Sequence, residues 1–323
     1  MLILSEKDLR SLLTMRDCIR AVERGFLALA AGETLAPERL VMNLAGGVFL
    51  EMPSAMRSDE NALGTKIVSV FEKNRERHLA TVQAVYLLLD GETGEPLALM
   101  EGRFITAIRT AAVSALATKH MMAEGASRLG IIGAGVQGRF HLEAMAEVAR
   151  FSEVLIASRS EEKAQGLAEK AQEIFDEHCD VATVEEVARC SNVICACTSS
   201  PAPLFAGRLL SPGTHINAVG AFTPETREID TETVAASRVI IDDHTAAGRE
   251  AGELLIPISE GAIAYDHIKG TLADLVSGRV RGRELEDEIT LFKSCGLAIE
   301  DLVTARLAYE RAVERGAGAR IDL

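Results

Sequence analysis

A chain of 323 residues exceeds what one hydrophobic core usually organises, so about two domains are expected. Its 48% apolar and 25% charged composition is that of a folded globular protein and excludes a disordered one. With 34 basic against 48 acidic residues the formal charge is −14, and no Lys/Arg run offers a footprint for nucleic acid, although a helix N-terminus could still hold an anionic cofactor. The longest uncharged stretch, Cys190 to Gly207, contains Ser191, Asn192, Pro201 and Pro203, so no membrane span is expected. The opening MLILSEKDLR lacks the apolar region and cleavage site of a signal peptide, which points to the cytoplasm. Six scattered cysteines, with Cys195 and Cys197 two apart but no second Cys/His pair, read as buried thiols and not as a metal site.

In chain order, Ser5 with Asp8 and Thr14 with Asp17 are capping pairs, and Ile19, Val22, Phe26 and Leu29 follow at helical spacing, so the chain is expected to open with helices. From Leu40 to Met100 the runs LVMNL, GVFLEMP, LGTKIVSVF, TVQAVYLLL and PLALM, with DGETGEP as a turn, predict an antiparallel sheet. Thr106 to Met122 is alanine-rich, without Gly or Pro, and predicts a long helix leading out of this lobe. Next, RLGIIG, EVLIASR, CDVAT, NVICACT, THINAVG and RVIIDD alternate with helical stretches, the pattern of a doubly wound parallel sheet. LFKSCGLAIEDLVTARLAYERAVERG reads as helical again, and GAGARIDL as a loose tail.

Directly after LGII, the segment GAGVQG carries Gly133, Gly135 and Gly138, with Val136 and Gln137 between them, and a helix can follow from Arg139. A tight turn, a close approach to a pyrophosphate and close packing of helix on strand each call for a missing side chain here, so a dinucleotide is expected. At the end of the second parallel strand stand Ala157, Ser158, Arg159 and Ser160, with no acid until Glu161. A guanidinium between two hydroxyls suits a 2′-phosphate better than a ribose hydroxyl, which favours NADP(H), with NAD(H) as the alternative. Lys163 joins these residues as a candidate cofactor contact.

With the glycine loop in place, the segments RFITAIRTAAVSALATKH, THINAVGAFTPETREID and LFKSCGLAIED together resemble the ornithine cyclodeaminase and mu-crystallin family, over about Arg39 to Asp301. The resemblance implies an α/β fold in which a Rossmann domain, residues 123–300, carries NAD(H) or NADP(H). An α+β domain, residues 1–122 with 301–323, would bind substrate and pair with its twin in a homodimer. It implies Lys66 as the catalytic group and Arg39 and Arg109 as clamps for a substrate carboxylate, roles that suit an ammonium of adjustable pKa and a guanidinium fork. Thr81 and Gln83, two apart on a strand, are candidates for a polar face toward the pocket. Thr110, Thr198, Ser199, Val219, Gly220 and Ser294 fall where the family contacts its cofactor, and Gly296 accompanies Ser294 in the signature.

The chain also departs from the pattern resembled. Two carboxylates that cyclodeaminases use beside the lysine are replaced by Leu50 and Phe222, while Glu51 is expected on the opposite face of its strand. Oxidising and expelling an amine needs several placed acids and bases, whereas a preformed cyclic imine needs one proton donor and a carboxylate clamp. Phe222 would also dry the pocket for a flat ring. The expected function is therefore NAD(P)H-dependent reduction of a cyclic ketimine carboxylate, pyrroline-2-carboxylate or piperideine-2-carboxylate, to proline or pipecolate. The alternatives are an amino acid dehydrogenase of the alanine dehydrogenase kind, ornithine cyclodeaminase itself, and a non-catalytic binder of NADPH and a small ligand like mu-crystallin.

Overall fold

The computed structural model describes residues 1–57 and 61–322, with only the backbone at position 75. The chain divides into two compact units, Met1–Arg109 with Leu297–Leu323, and Thr110–Gly296. Residues 110–122 thus group with the Rossmann sheet and 297–300 with the other sheet, so the first boundary lies 13 residues and the second four residues before where the sequence put it.

In the first unit, Ser5 and Asp8 close a capping box at the start of the helix Glu6–Leu12, and Thr14 caps the helix Met15–Ala30. The second helix buries Cys18, Ile19, Val22 and Phe26 along one stripe. Gly25 on it lies so near its neighbour that a Cβ would stand 3.1 Å from Val303 Cγ1, which lets this helix press against the helix Ala298–Arg315.

The sheet of this unit runs in the order Ala319–Arg320, Leu2–Leu4, Pro96–Glu101, Val82–Asp90, Ala62–Val70, Gly47–Met56 and Thr34–Leu35, with Leu40–Leu44 also paired to Gly47–Met56. Four central strands place Met52, Lys66, Tyr86 and Met100 side by side in one row. All four are buried, and the helix Ala298–Arg315 packs over that face. A lysine in such a row is an anomaly that packing cannot explain, because burying an ammonium is costly unless it is paired.

Two readings are corrected at the termini. The chain opens with the strand Leu2–Leu4 before its helices, and the tail forms the strand Ala319–Arg320 that pairs antiparallel with it. Gly318 permits this approach: a Cβ there would lie 2.5 Å from Leu4 Cδ2. Leu323, the last residue of the expected tail, lies outside the described residues.

The helix Gly102–Met121 joins the units and starts four residues earlier than the alanine-rich stretch suggested. From Ala111 to Ala117 every residue is fully buried, so alanine serves here as the side chain small enough to be surrounded.

The second unit is a parallel sheet ordered His178–Val181, Glu153–Ala157, Arg128–Ile132, Val193–Ala196, His215–Ala218, Ile289–Lys293, Ser237–Ile241 and Ile268–Thr271. Its first strand in sequence is central and the order reverses beside it, which is the doubly wound Rossmann arrangement with its ligand-binding switch point between Arg128–Ile132 and Val193–Ala196. The sequence supplied six of these strands. Ile289–Lys293, read as the start of the last helix, is instead a fully paired strand, and Lys293 is buried within it. Ile268–Thr271 escaped because Lys269 and Gly270 break its apolar pattern.

Candidate active site

Lys66 is the centre of a buried charge cluster within the first unit. Its Nζ donates to Asp301 Oδ2 at 2.7 Å, and Arg109 donates from Nε to Asp301 Oδ1 at 3.2 Å and from Nη1 to Glu300 Oε2 at 2.5 Å. Each of the four is at most 5% exposed. Sheet alternation delivers Lys66 to this face, the long helix delivers Arg109, and the first turn of Ala298–Arg315 delivers both acids.

The electrostatics follow from burial and pairing. Burial pulls the Lys66 ammonium down from its ordinary range to about 8, and Asp301 beside it restores only part of that loss. Burial alone would raise the Asp301 carboxyl, yet Arg109 and Lys66 outweigh it and hold the group below its usual value. Arg109 is likewise destabilised by burial and more than compensated by Asp301 and Glu300. The result is an ionised carboxylate bridging two cations, one of which can lose its proton near neutrality.

Asp301 and Glu300 are the residues that sequence reasoning missed, although both stand in LFKSCGLAIED. Acids in a first helical turn have an ordinary explanation in the helix dipole. A better signal lay in their surroundings: the eight residues from Ala298 to Ala305 are all buried, so no face of this turn is solvated. Lys66 thus has carboxylates beside it that the sequence reading did not name, while Leu50 and Phe222 still stand where the resemblance places two others. Leu50 lies in register with Val68 on the Lys66 side, while Glu51, paired with Ile67, occupies the other face as alternation required.

The remaining substrate-side candidates are placed less centrally. Arg39 is half-buried, immediately before the strand Leu40–Leu44. Gln83 pairs with Ser69, so it stands on the sheet face opposite Tyr86 and Lys66, and Thr81 sits half-buried just ahead of that strand. A Thr81–Gln83 polar face turned toward Lys66 is not what the register gives. Phe222, expected to dry the pocket, is 52% exposed in the second unit and forms no part of its packed interior.

In the second unit the three glycines of GAGVQG have separable reasons. Gly133 has φ +108°, and a Cβ there would lie 2.5 Å from Cys197 O; a Cβ on Gly138 would lie 1.9 Å from Gly133 O. Both are dictated by the protein's own backbone. Gly135 is not, because nothing lies within 4 Å of a Cβ built there. It is the N-cap of the helix Val136–Met145, and no side chain caps that end. The Gln137 side-chain oxygen is buried without a partner among the described residues, and Val136 is exposed. An open helix N-terminus with room for close approach is what a pyrophosphate requires, so these residues fit a dinucleotide.

The other cofactor candidates gather at the same ends of the strands. Ser158, Arg159 and Ser160 follow Glu153–Ala157, with Arg159 exposed. Ser160 is spent as the N-cap of the helix Glu161–Phe175, accepting from Lys163 N at 3.4 Å, and Lys163 is exposed in that first turn. Thr198 and exposed Ser199 follow Val193–Ala196; Val219 and Gly220 follow His215–Ala218. The amides of Thr198 and Gly220 both donate to Glu228, and that of Val219 donates to Ala196 O, so these loops can meet a ligand only through other atoms. Ser294 is buried, with its amide on Ala218 O, and Thr110 is buried on the long helix.

The fold and these two sets of residues define an α/β chain with a Rossmann nucleotide-binding unit and a second unit, built on a mostly antiparallel sheet, that holds a buried, ion-paired lysine. It belongs to the ornithine cyclodeaminase/mu-crystallin family, whose model matches residues 1–316. A Delta(1)-pyrroline-2-carboxylate reductase of Bacillus cereus is 37% identical over the whole length of both chains. Among solved structures, the Thermococcus litoralis Delta(1)-pyrroline-2-carboxylate reductase in complex with NADH and L-proline is 41% identical, with a TM-score of 0.96 over 99% of this chain and 100% of that one. An archaeal alanine dehydrogenase dimer with bound NAD is 32% identical, with a TM-score of 0.95 over 100% of this chain and 99% of that one. Among the described residues no helix is long and apolar enough to cross a membrane.

Proposed function

We propose that this protein is an NAD(P)H-dependent reductase of cyclic ketimine carboxylates, converting pyrroline-2-carboxylate or piperideine-2-carboxylate to proline or pipecolate. The observation that carries the reading is the buried Lys66, held at about 8 and bonded to an ionised Asp301. When bound, the reduced dinucleotide supplies the hydride. Lys66 holds the proton that the ring nitrogen takes up, and Asp301 keeps that ammonium charged and aimed. Nε and Nη1 of Arg109 face carboxylates of its own chain, and its guanidinium fork with the Arg39 cation is the clamp we assign to the substrate carboxylate. The similarity to pyrroline-2-carboxylate reductases supports the same chemistry.

The 32% identical alanine dehydrogenase motivates a second reading, reductive amination of a linear keto acid. Purified protein with reduced dinucleotide and either a cyclic 2-carboxyimine or pyruvate plus ammonia separates the two, and turnover only with the second pair would overturn our reading. Ornithine should release little ammonia or proline, because Leu50 and Phe222 stand where cyclodeaminases place carboxylates. Release at a rate comparable to imine reduction would mean that Asp301 and Glu300 suffice for amine expulsion.

For the cofactor we favour NADP(H), since Arg159 is exposed between two serines at the end of the second strand. Arg159→Ala should raise KM for NADPH about tenfold or more, the worth of a charge-assisted bond to phosphate, while KM for NADH stays within about twofold. Equal losses for both would show that Arg159 does not read the 2′ position. We also propose a cytoplasmic homodimer: Leu40, Val41, Met42 and Leu44 are exposed apolar residues on a strand that, among the described residues, is paired on one side only, an edge that isolated proteins avoid. Sedimentation equilibrium at micromolar concentration tests it, and a monomer would sink it.

A further inference from the structure

Two neighbouring loops of the second unit are tied together by a single buried carboxylate that the glycine fingerprint does not account for. Glu228 is 0% exposed. Its Oε1 accepts the amide of Thr198 at 2.6 Å and its Oε2 the amide of Gly220 at 2.6 Å. Thr198 follows Val193–Ala196 and Gly220 follows His215–Ala218, and these strands are adjacent in the sheet. The carboxylate therefore spans the loops at the C-terminal ends of two strands, where folds of this kind bind ligands. The contact has no slack: a Cβ on Gly220 would lie 1.9 Å from Thr198 O.

Glu228 is itself fixed from behind. Its amide donates to Glu253 Oε1 at 3.0 Å, its carbonyl accepts from Leu204 N at 2.8 Å, and Glu253 Oε2 faces Lys293 Nζ at 3.1 Å. Glu253 and Lys293 are as deeply buried as Glu228. Burying a carboxylate is costly, and two loop amides could have been closed by backbone carbonyls instead. What the Glu228 side chain adds is two oxygens at fixed spacing, each accepting one amide, so that both are held at once although burial raises the carboxyl above its ordinary range.

We propose that Glu228 is a positioning residue for the dinucleotide, holding the Thr198–Ser199 and Val219–Gly220 backbones in register so that they present a preformed edge to it. The inference rests on the reading of this unit as a dinucleotide site. Pre-organisation of this kind lowers the ordering cost of binding and takes no part in hydride transfer. Its signature is a loss of affinity that does not discriminate between NADH and NADPH, unlike the loss at Arg159.

Glu228→Gln keeps the size but turns an NH2 group toward one amide; Glu228→Asp keeps the charge but is one methylene too short to bridge. In fluorescence titrations of the full chain, both variants should bind NADH and NADPH about tenfold more weakly, with kcat at saturating dinucleotide within about threefold of wild type. Restoration by Asp would mean that charge alone matters and would overturn the bridging role. Unchanged affinity in Glu228→Gln, with wild type binding normally, would overturn this inference alone, whereas a wild type that binds neither dinucleotide would overturn the reading of the unit itself. Should the variants not fold, hydrogen exchange on the wild type decides: the Thr198 and Gly220 amides should be slow without any dinucleotide, and exchange as fast as in open loops would refute the bridge.

Discussion

Lys66→Met should lower kcat for imine reduction by about 10²–10⁴-fold, the usual worth of a positioned proton donor, while the protein still binds dinucleotide. Methionine is chosen because it fills much of the same buried row between Met52 and Tyr86 without an ammonium. The dinucleotide contacts proposed here all belong to the other unit, so affinity for NADH and NADPH should stay near wild type. Steady-state kinetics with a cyclic imine and a parallel binding titration check both halves. A near-normal kcat at neutral pH would leave water or another residue as the donor and end the assignment.

The same residue predicts a pH dependence. Only the protonated form of Lys66 can donate, so kcat/KM for imine reduction should fall as pH rises through about 8. The reverse oxidation needs the neutral form and should gain over the same range. For stability the sign is also fixed: a lysine whose folded pKa lies below its unfolded value makes the unfolded chain bind more protons between about 8 and 10.5, so stability should rise across that window. A flat kcat/KM profile from pH 7 to 9 would show that Lys66 does not gate the reaction.

Much of the fold was legible because parallel strands buried on both faces leave uninterrupted apolar runs, as RLGIIG and NVICACT do. Ile289–Lys293 was not, because its lysine is neutralised by Glu253, a partner that sequence cannot show. Tertiary pairing overrode local pattern there. The tail strand Ala319–Arg320 depends on Leu2–Leu4, over three hundred residues away in sequence, and two residues carry no periodicity to read. At the site, Lys66 and Arg109 came through resemblance, and Glu51 was correctly turned away by strand alternation. Asp301 and Glu300 were hidden by having a routine explanation, the helix dipole, that would have sufficed had they been exposed. Gln83 shows the opposite error: alternation places Thr81 and Gln83 together but does not say on which side.

Asp301→Asn should be the most disruptive conservative change in the first unit, because it removes the one carboxylate that serves two buried cations. Arg109 keeps Glu300, but Lys66 loses its only ion-pair partner among the described residues. Breaking a buried pair in this way costs about 3–5 kcal/mol, which a shift in the urea midpoint would report. Without Asp301 the Lys66 pKa should fall further, since burial would act unopposed by its nearest anion, and the decline of kcat/KM should move to more acid pH. The stability deficit should depend on pH for the same reason. It is largest at mildly acid pH, where Lys66 is charged in both proteins, and it narrows as pH rises toward 8, because the variant's lysine sheds its proton first. At the acid extreme it shrinks again, as wild-type Asp301 is protonated through its lowered pKa and its own contribution is lost. A variant as stable as wild type at pH 6, with an unmoved activity profile, would show that the pair neither holds the fold nor sets the charge of Lys66.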